Sequence, residues 1–449
     1  MEKKRRKILY YTFIAIFILG SAYLIIITQG LTIDWKKLTI TKTGAVYIRS
    51  TPSDAEIYVD NKQYKSEDGI INKGTLIKNL KSGTYEVVVK KDGFSPWIKN
   101  ITVEKGVVSS ESFIRLWKTD PETEKIASSS IKNFWVTSEG IILQDNTGDI
   151  RIDNNIIRGI NVISYSITTG GIITKDKNNT LFFVDIADPN TAINIQELFN
   201  SLKQRELKLP GTVKILTALP HPFSHSKIIV ATKTSLYIID LKKISIEKIL
   251  GVEHIDEVFS DDTRVFIKDA QGNIAMVNLL IKNEPEIMYA SSTEMHIPVL
   301  NNSYLLFIGE QNTLFIYNRV TKDISTIAKN VKYFSLSPEE KRVGVVFENG
   351  TLGIAYITDY SGNIQIKKGM FIPLLLNGSA KNIKFDSLEW LRGFQNYIVA
   401  LAKDSVWAIE TDEKNLQNAV LLSQNIKKYI IQDNFYFLDI NGELRRVTY

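Results

Sequence analysis

The 449-residue chain contains no cysteine. Disulfides, thiolate metal ligation, a cysteine nucleophile and a lipid-modified N-terminal cysteine are therefore excluded. Histidine is scarce, with His221, His225, His254 and His296 the only four. His221 and His225 have a spacing that can chelate zinc on a helix. Pro222 and the neighbouring turn residues place them in a loop instead, without a third ligand nearby. There is no Gly-x-Ser-x-Gly elbow and no phosphate loop. A glycosidase needs paired carboxylates, and no Asp or Glu recurs in a way that singles it out. Asp145-Asn146-Thr147-Gly148-Asp149 offers oxygen ligands but lacks the long acidic spacing of a calcium loop; it reads as a hairpin turn. No catalytic residue, metal site or cofactor is expected.

Charge is nearly balanced away from one place. The net charge is +6, and Lys3, Lys4, Arg5, Arg6 and Lys7 against Glu2 supply +4 of it. That leaves a mild excess, and no nucleic-acid partner is expected. After the basic tail (residues 1–7), residues 8–28 run without a charge. Twenty-one residues at about 1.5 Å each span roughly 32 Å, enough for a hydrocarbon core of about 30 Å. Tyr10, Tyr11 and Trp35 stand where interfacial aromatics are found, and the basic cluster keeps the N-terminus inside. Gly20-Ser21-Ala22 offers a cleavage site for a signal peptidase. The apolar run continues through Tyr23-Leu24-Ile25-Ile26-Ile27 beyond it, so a retained transmembrane helix in the bilayer is expected, with everything after it extracytoplasmic.

Eight short segments read alike. They begin at Asp149, Thr180, Ser235, Asn273, Thr313, Thr351, Ser405 and Glu443, spaced 31, 55, 38, 40, 38, 54 and 38 residues apart. Each continues as a mostly apolar strand after a turn rich in Asn, Gly or Asp. A period near 40 with several strands per unit is the mark of a β-propeller. The sixth unit is the clearest: strands are expected at 331–336, 342–347, 351–357 and 364–368. The last unit runs out at Tyr449 after three strands, and residues 124–128 can supply its fourth, closing the ring. The count is eight blades, or seven if residues 131–158 are not a separate one.

The two long spacings are insertions. In residues 194–205, Ile195, Leu198, Phe199 and Leu202 fall on one helical face behind an Asn194 cap. The helix either packs that stripe on the side of the propeller or docks a partner. In residues 370–378, Phe371, Ile372, Leu374, Leu375 and Leu376 form an apolar run expected on a top-face loop. They are the candidate partner-binding residues, the other reading being packing or a channel plug.

Residues 43–117 precede the propeller, flanked by linkers at 29–42 and 118–123, with 124–449 left to the repeats. Val46 and Ile48 alternate with Tyr47 and Arg49, Pro52-Ser53-Asp54-Ala55 makes a turn, and Tyr58-Val59-Asp60 follows. Later come Gly83-Thr84-Tyr85 and the run Gly93, Phe94, Trp97. As a set these resemble the PEGA family of small β-domains, although Ser53 and Asp54 depart from its tetrad and Leu76 stands where a proline is usual. The resemblance implies an extracellular β-sandwich-like module without catalytic residues. The repeats resemble quinoprotein-like and WD-repeat propellers loosely, without a recurring Trp-Asp pair.

The expected chain is mainly β: a transmembrane helix, a PEGA-like β-sandwich and an eight-bladed propeller. The expected role is membrane-anchored binding or scaffolding at the cell envelope, with an envelope protein or a cell-wall or surface polysaccharide as partner. The alternative is an envelope hydrolase working in the central cleft. Acids converging on that cleft would favour the hydrolase, and an apolar or aromatic surface the binder.

Overall fold

The computed structural model describes the backbone except at residues 1, 29–30, 35–38, 66–73, 129, 153–154, 158–160, 167–168, 261–263, 280–285, 289–295, 301–303, 362–364 and 414–415. The description of side chains further excludes 2–4, 22–28, 31–34, 39–40, 155, 287–288, 296–300 and 379. His296, Ile364 and the last seven residues of the apolar N-terminal run thus lie outside it. Helix α1 spans Glu2–Thr28. Among the described residues, no helix is long and apolar enough to cross a membrane.

The module after it has two sheets. One joins Thr75–Leu80, Gly44–Thr51 and Val108–Arg115, the last two in parallel. The other runs Lys62–Tyr64, Glu56–Val59, Gly83–Lys90, Trp97–Val103. Val46, Ile48, Ile57, Val87, Val89, Ile101 and Val103 fill the space between them. Strand Trp97–Val103 alternates strictly, burying Trp97, Lys99, Ile101 and Val103 on one face. Lys99 is thus a lysine in an inward set.

Residues 122–449 form a β-propeller of eight four-stranded antiparallel sheets among the described residues. All eight recurring segments lie in or just before the third strand of a blade, as at Ser235–Asp240, Thr313–Asn318 and Ser405–Glu410. The turns before them use aspartate to hold the backbone. Asp145 Oδ1 accepts from the N–H groups of Thr147 (2.9 Å) and Asp149 (3.1 Å), and Asp176, Asp269 and Asp439 repeat the device. Second strands pack against neighbours on both faces, hence unbroken apolar runs such as Ile228-Ile229-Val230-Ala231 and Leu305-Leu306-Phe307-Ile308. The eighth blade is completed by Glu122–Ala127, which pairs with Leu444–Thr448 from Glu122↔Thr448 to Ala127↔Leu444. The closing strand thus begins two residues earlier than the sequence suggested.

Helix α2, Ile195–Glu206, follows the second blade. The Asn194 side chain caps it by accepting from the Glu197 N–H at 3.2 Å. Ile195, Phe199 and Leu202 are buried with Ala218, Ile228, Val230 and Tyr237 of the third blade, so the stripe packs on the propeller's side.

The sixth blade departs from expectation. Its outer strand is Phe371–Pro373, paired Gly353↔Pro373 and Ala355↔Phe371. Gln365–Ile366 instead forms a separate two-stranded hairpin with Tyr360–Ser361. The reason is steric. Gly353 leaves open the space that the Phe371 ring fills; a side chain there would overlap it. The apolar run is therefore the fourth strand of the blade and its continuation, not a loop following that strand.

Candidate functional site in the central channel and at the module junction

The inner strands of the blades surround the propeller's channel. They begin at one end, the mouth, and turn at the other into the second strands. Glu389 lies on the inner strand Ser387–Trp390 of blade 7. No described residue gives it a hydrogen bond. Burial pushes its carboxyl up to about 7, opposed by the charges of Arg392 and Lys428. Lys428, on the inner strand of blade 8, donates to Asn133 Oδ1 (2.6 Å) and the Phe134 carbonyl (2.7 Å) of blade 1. It also lies over the Phe134 and Trp135 rings. Burial lowers its ammonium to about 8, against the pull of Glu389. Burial and the same carboxylate raise the hydroxyls of Tyr333, to about 12, and of Tyr165. Tyr165 belongs to blade 2, so the Glu389 field reaches across the channel. Among the described residues, the groups that shift Glu389 are basic, with no second carboxylate. Around Glu389 the described groups are a lysine, an arginine and tyrosines, whereas a glycosidase pairs two carboxyl groups.

The second cluster joins the module to blades 7 and 8, at the end opposite the mouth. Lys99 of the module has a side chain 1% exposed. Its Nζ sits 3.3 Å from Glu410 Oε2 and also on Asp412 Oδ2. Glu111, from the module's other sheet, brings a third carboxylate, and the three approach within 4.8 Å of one another. Three carboxylates at that spacing could cradle a cation, and the Lys99 ammonium fills that part. Burial pushes its pKa down, but Glu410, Asp412 and Glu111 more than offset this and leave it raised. Trp97 Nε1 donates to Glu410 at 3.4 Å. Nearby, the Arg115 N–H donates to the Tyr397 hydroxyl (2.9 Å), and its guanidinium donates to the Tyr449 carbonyl (3.2 Å). Trp117 packs edge-on against Tyr397, Phe435 and Tyr449 in the propeller's own core.

The five candidate residues from the sequence do not form one surface. Leu374 and Leu376 are 7% and 8% exposed, buried with Trp390 and Trp407. Ile372 and Phe371 are partly buried, and Leu375 alone is open, at 58%. Phe371 forms one wall of a groove of about 420 Å³ between blades 5 and 6, with Tyr304, Asp323, Lys368 and Met370. His221 has a structural part: its Nδ1 accepts from the Phe223 N–H at 3.2 Å. Burial, with Lys227, pushes its pKa down to about 4.

Sequence reasoning passed over Glu389, Lys428 and Lys99. Lys99 was detectable as a lysine at an inward position of a strict alternation. Nothing local marks Glu389 or Lys428, whose neighbours come from other blades.

Residues 43–112 match the PEGA domain, over most of the stretch whose residues resemble it. No curated protein matches the chain in sequence. Among solved structures, BamB from Moraxella catarrhalis is 13% identical, with 73% of this chain and 100% of that chain covered, at a TM-score of 0.45. A computationally designed protein, Ika8, is 11% identical over 72% and 97%, also at 0.45. The Cps50 (Swd1) β-propeller domain of Myceliophteria thermophila is 11% identical over 62% and 95%, at 0.38.

Proposed function

We propose that this chain is an interaction or scaffolding protein of the cell envelope, held at a membrane by α1. The PEGA module and the propeller act in it as one rigid body. The observation that carries this reading is the buried junction of Lys99 with Glu410 and Asp412. It fixes the module at one end of the blades and leaves the channel mouth at the other end uncovered by it. A platform with a fixed base and a free face suits assembly. Among the described residues, no second carboxylate shifts Glu389, which gives no support to the hydrolase alternative. Support for the anchor comes from the described part of α1. Ile8, Leu9, Phe13, Ile16, Phe17, Ile18 and Leu19 are all exposed, on every side of the helix, and a helix apolar all round needs an apolar surrounding.

The partner is an envelope protein or polysaccharide reached from the membrane surface. Protease added to intact cells should remove the propeller and leave a short membrane-bound fragment. Protection of the propeller, or a mature N-terminus at Tyr23, would overturn the topology. Hydrolysis of an envelope glycan or peptide by the purified full chain would overturn the noncatalytic reading.

A further inference from the structure

The inner strands of blades 1, 2, 3, 6 and 8 share one irregularity. Each slips register near its start, at Ile131/Asn133, Val162/Ser164, Ile215/Thr217, Val331/Tyr333 and Ile426/Lys428. The residue skipped by the pairing is Lys132, Ile163, Leu216, Lys332 or Lys427. A bulged residue turns out of the ladder and re-aims its side chain, so these five stand on one ring around the mouth. Their order is informative. Lys427, Lys132, Ile163 and Leu216 come from four consecutive blades, 8, 1, 2 and 3. Lys332, on the far side, is paired to Asp386 at 2.7 Å.

Lys132 and Lys427 are exposed, and among the described residues no carboxylate pairs with either. They stand together, because Lys427 Nζ reaches the Lys132 carbonyl at 3.0 Å. Ile163 and Leu216 are 41% and 39% exposed, a large fraction for inner-strand aliphatics. The two blades bearing them are tied by Ser164 Oγ donating to the Ala218 carbonyl at 2.9 Å. The mouth therefore has two unpaired cations beside two uncovered aliphatic side chains. Of the acids at this end, Asp145 and Asp439 lie opposite Ile131 and Ile426 in the register but are held in their own turns by backbone N–H groups. Asp145 also pairs with Arg151 and Glu443 with Arg445, Asp386 pairs with Lys332, and Asp256 and Glu257 stand at blade 4.

We infer that this arc is a binding site for an acidic peptide segment that also carries apolar side chains. The carboxylates pair with Lys132 and Lys427, and a leucine-like side chain covers Ile163 and Leu216. Charge complementarity sets the approach and the apolar contact adds selectivity. A polyanionic glycan would use the lysines but gain nothing from uncovered isoleucine and leucine, so the peptide fits better. The inference rests on the binding role proposed above and names the partner's chemistry.

The test uses the full chain in detergent micelles and a fluorescent array of 12-residue peptides varying independently in Asp/Glu and Leu/Ile/Phe content. Binding should require both classes of residue and weaken with salt. The double variants Lys132→Gln/Lys427→Gln and Ile163→Ser/Leu216→Ser should each reduce affinity about tenfold or more, with melting unchanged for the exposed lysines and lowered only modestly for the half-covered aliphatic pair, whose fold is checked by circular dichroism. Binding that follows negative charge alone, and is insensitive to the aliphatic pair, would assign the site to polyanions and overturn the inference. So would an array in which no peptide binds. Capture of an envelope partner equally by native and doubly substituted chains would remove this arc from the site while leaving the scaffolding role standing.

Discussion

At the scale of single residues, two charges decide most. Lys99 is the cation held against Glu410 and Asp412 in a buried junction. Breaking a buried pair by removing one partner costs about 3–5 kcal/mol, because the other charges stay buried. Lys99→Met should lower unfolding free energy by that order in chemical denaturation, and adding Glu410→Gln and Asp412→Asn should restore much of it. Unchanged stability in the single variant would mean the junction is solvated. Glu389 acts through pH. Burial pushes its carboxyl in the folded protein up to about 7, from an ordinary value of 4.5. The raised value means the folded state holds the proton more tightly than the unfolded chain. This stabilisation is fully present below about 4.5 and is lost as pH rises through about 7. Glu389→Gln should flatten stability over that window and leave the variant more stable than the native chain at pH 8, by up to about 3 kcal/mol. Parallel stability curves for the two proteins from pH 4 to 8 would refute the assignment.

At the scale of elements, the outer strand of blade 6 and the closing strand of blade 8 are the exposed points. The Phe371 ring occupies the space above Gly353. Gly353→Ala should displace the ring and loosen Phe371–Pro373, at about 1–3 kcal/mol for overpacking. Hydrogen exchange should quicken at residues 371–373 and leave blades 1 to 3 unaffected; uniform protection would show the ring is free to move. Deleting residues 445–449 removes most of the strand that Glu122–Ala127 pairs with. Two strand edges and the Trp117 cluster would then be exposed. The truncated chain should aggregate or melt well below the intact one, and an unchanged melting temperature would show that the ring does not depend on this pairing.

At the scale of the whole molecule, the buried contacts of Lys99 with Glu410 and Asp412 predict that module and propeller move together. Because the chain has no native cysteine, spin labels can be placed cleanly at Lys105→Cys on the module and Lys243→Cys on blade 3, both exposed. The distance distribution between them should be narrow in the native background and broad with Lys99→Met. Equal widths would show that Lys99 does not hold the two parts together. The module keeps a closed core of its own, so loosening the junction should free it without unfolding it.

The sequence by itself determined the periodic part of this protein. Apolar alternation, turn residues and a recurrence near 40 depend only on near neighbours, and they located all eight third strands, the cap and stripe of α2, and the PEGA-like module. The tertiary structure alone decided which strand completes blade 6, because Ile364 to Lys368 and Phe371 to Pro373 both look like strands and only the empty space at Gly353 chooses between them. It also decided the sites. Glu389 and Lys428 acquire their character from burial and from side chains on other blades, and Lys99 meets Glu410 across more than 300 residues of chain. The mouth arc exists because the same register slip recurs in separate blades and the ring brings the slipped residues together. Apart from the inward place of Lys99 in its alternating strand, such juxtapositions leave no local trace, since the free energy that fixes them is that of packing between elements remote in sequence.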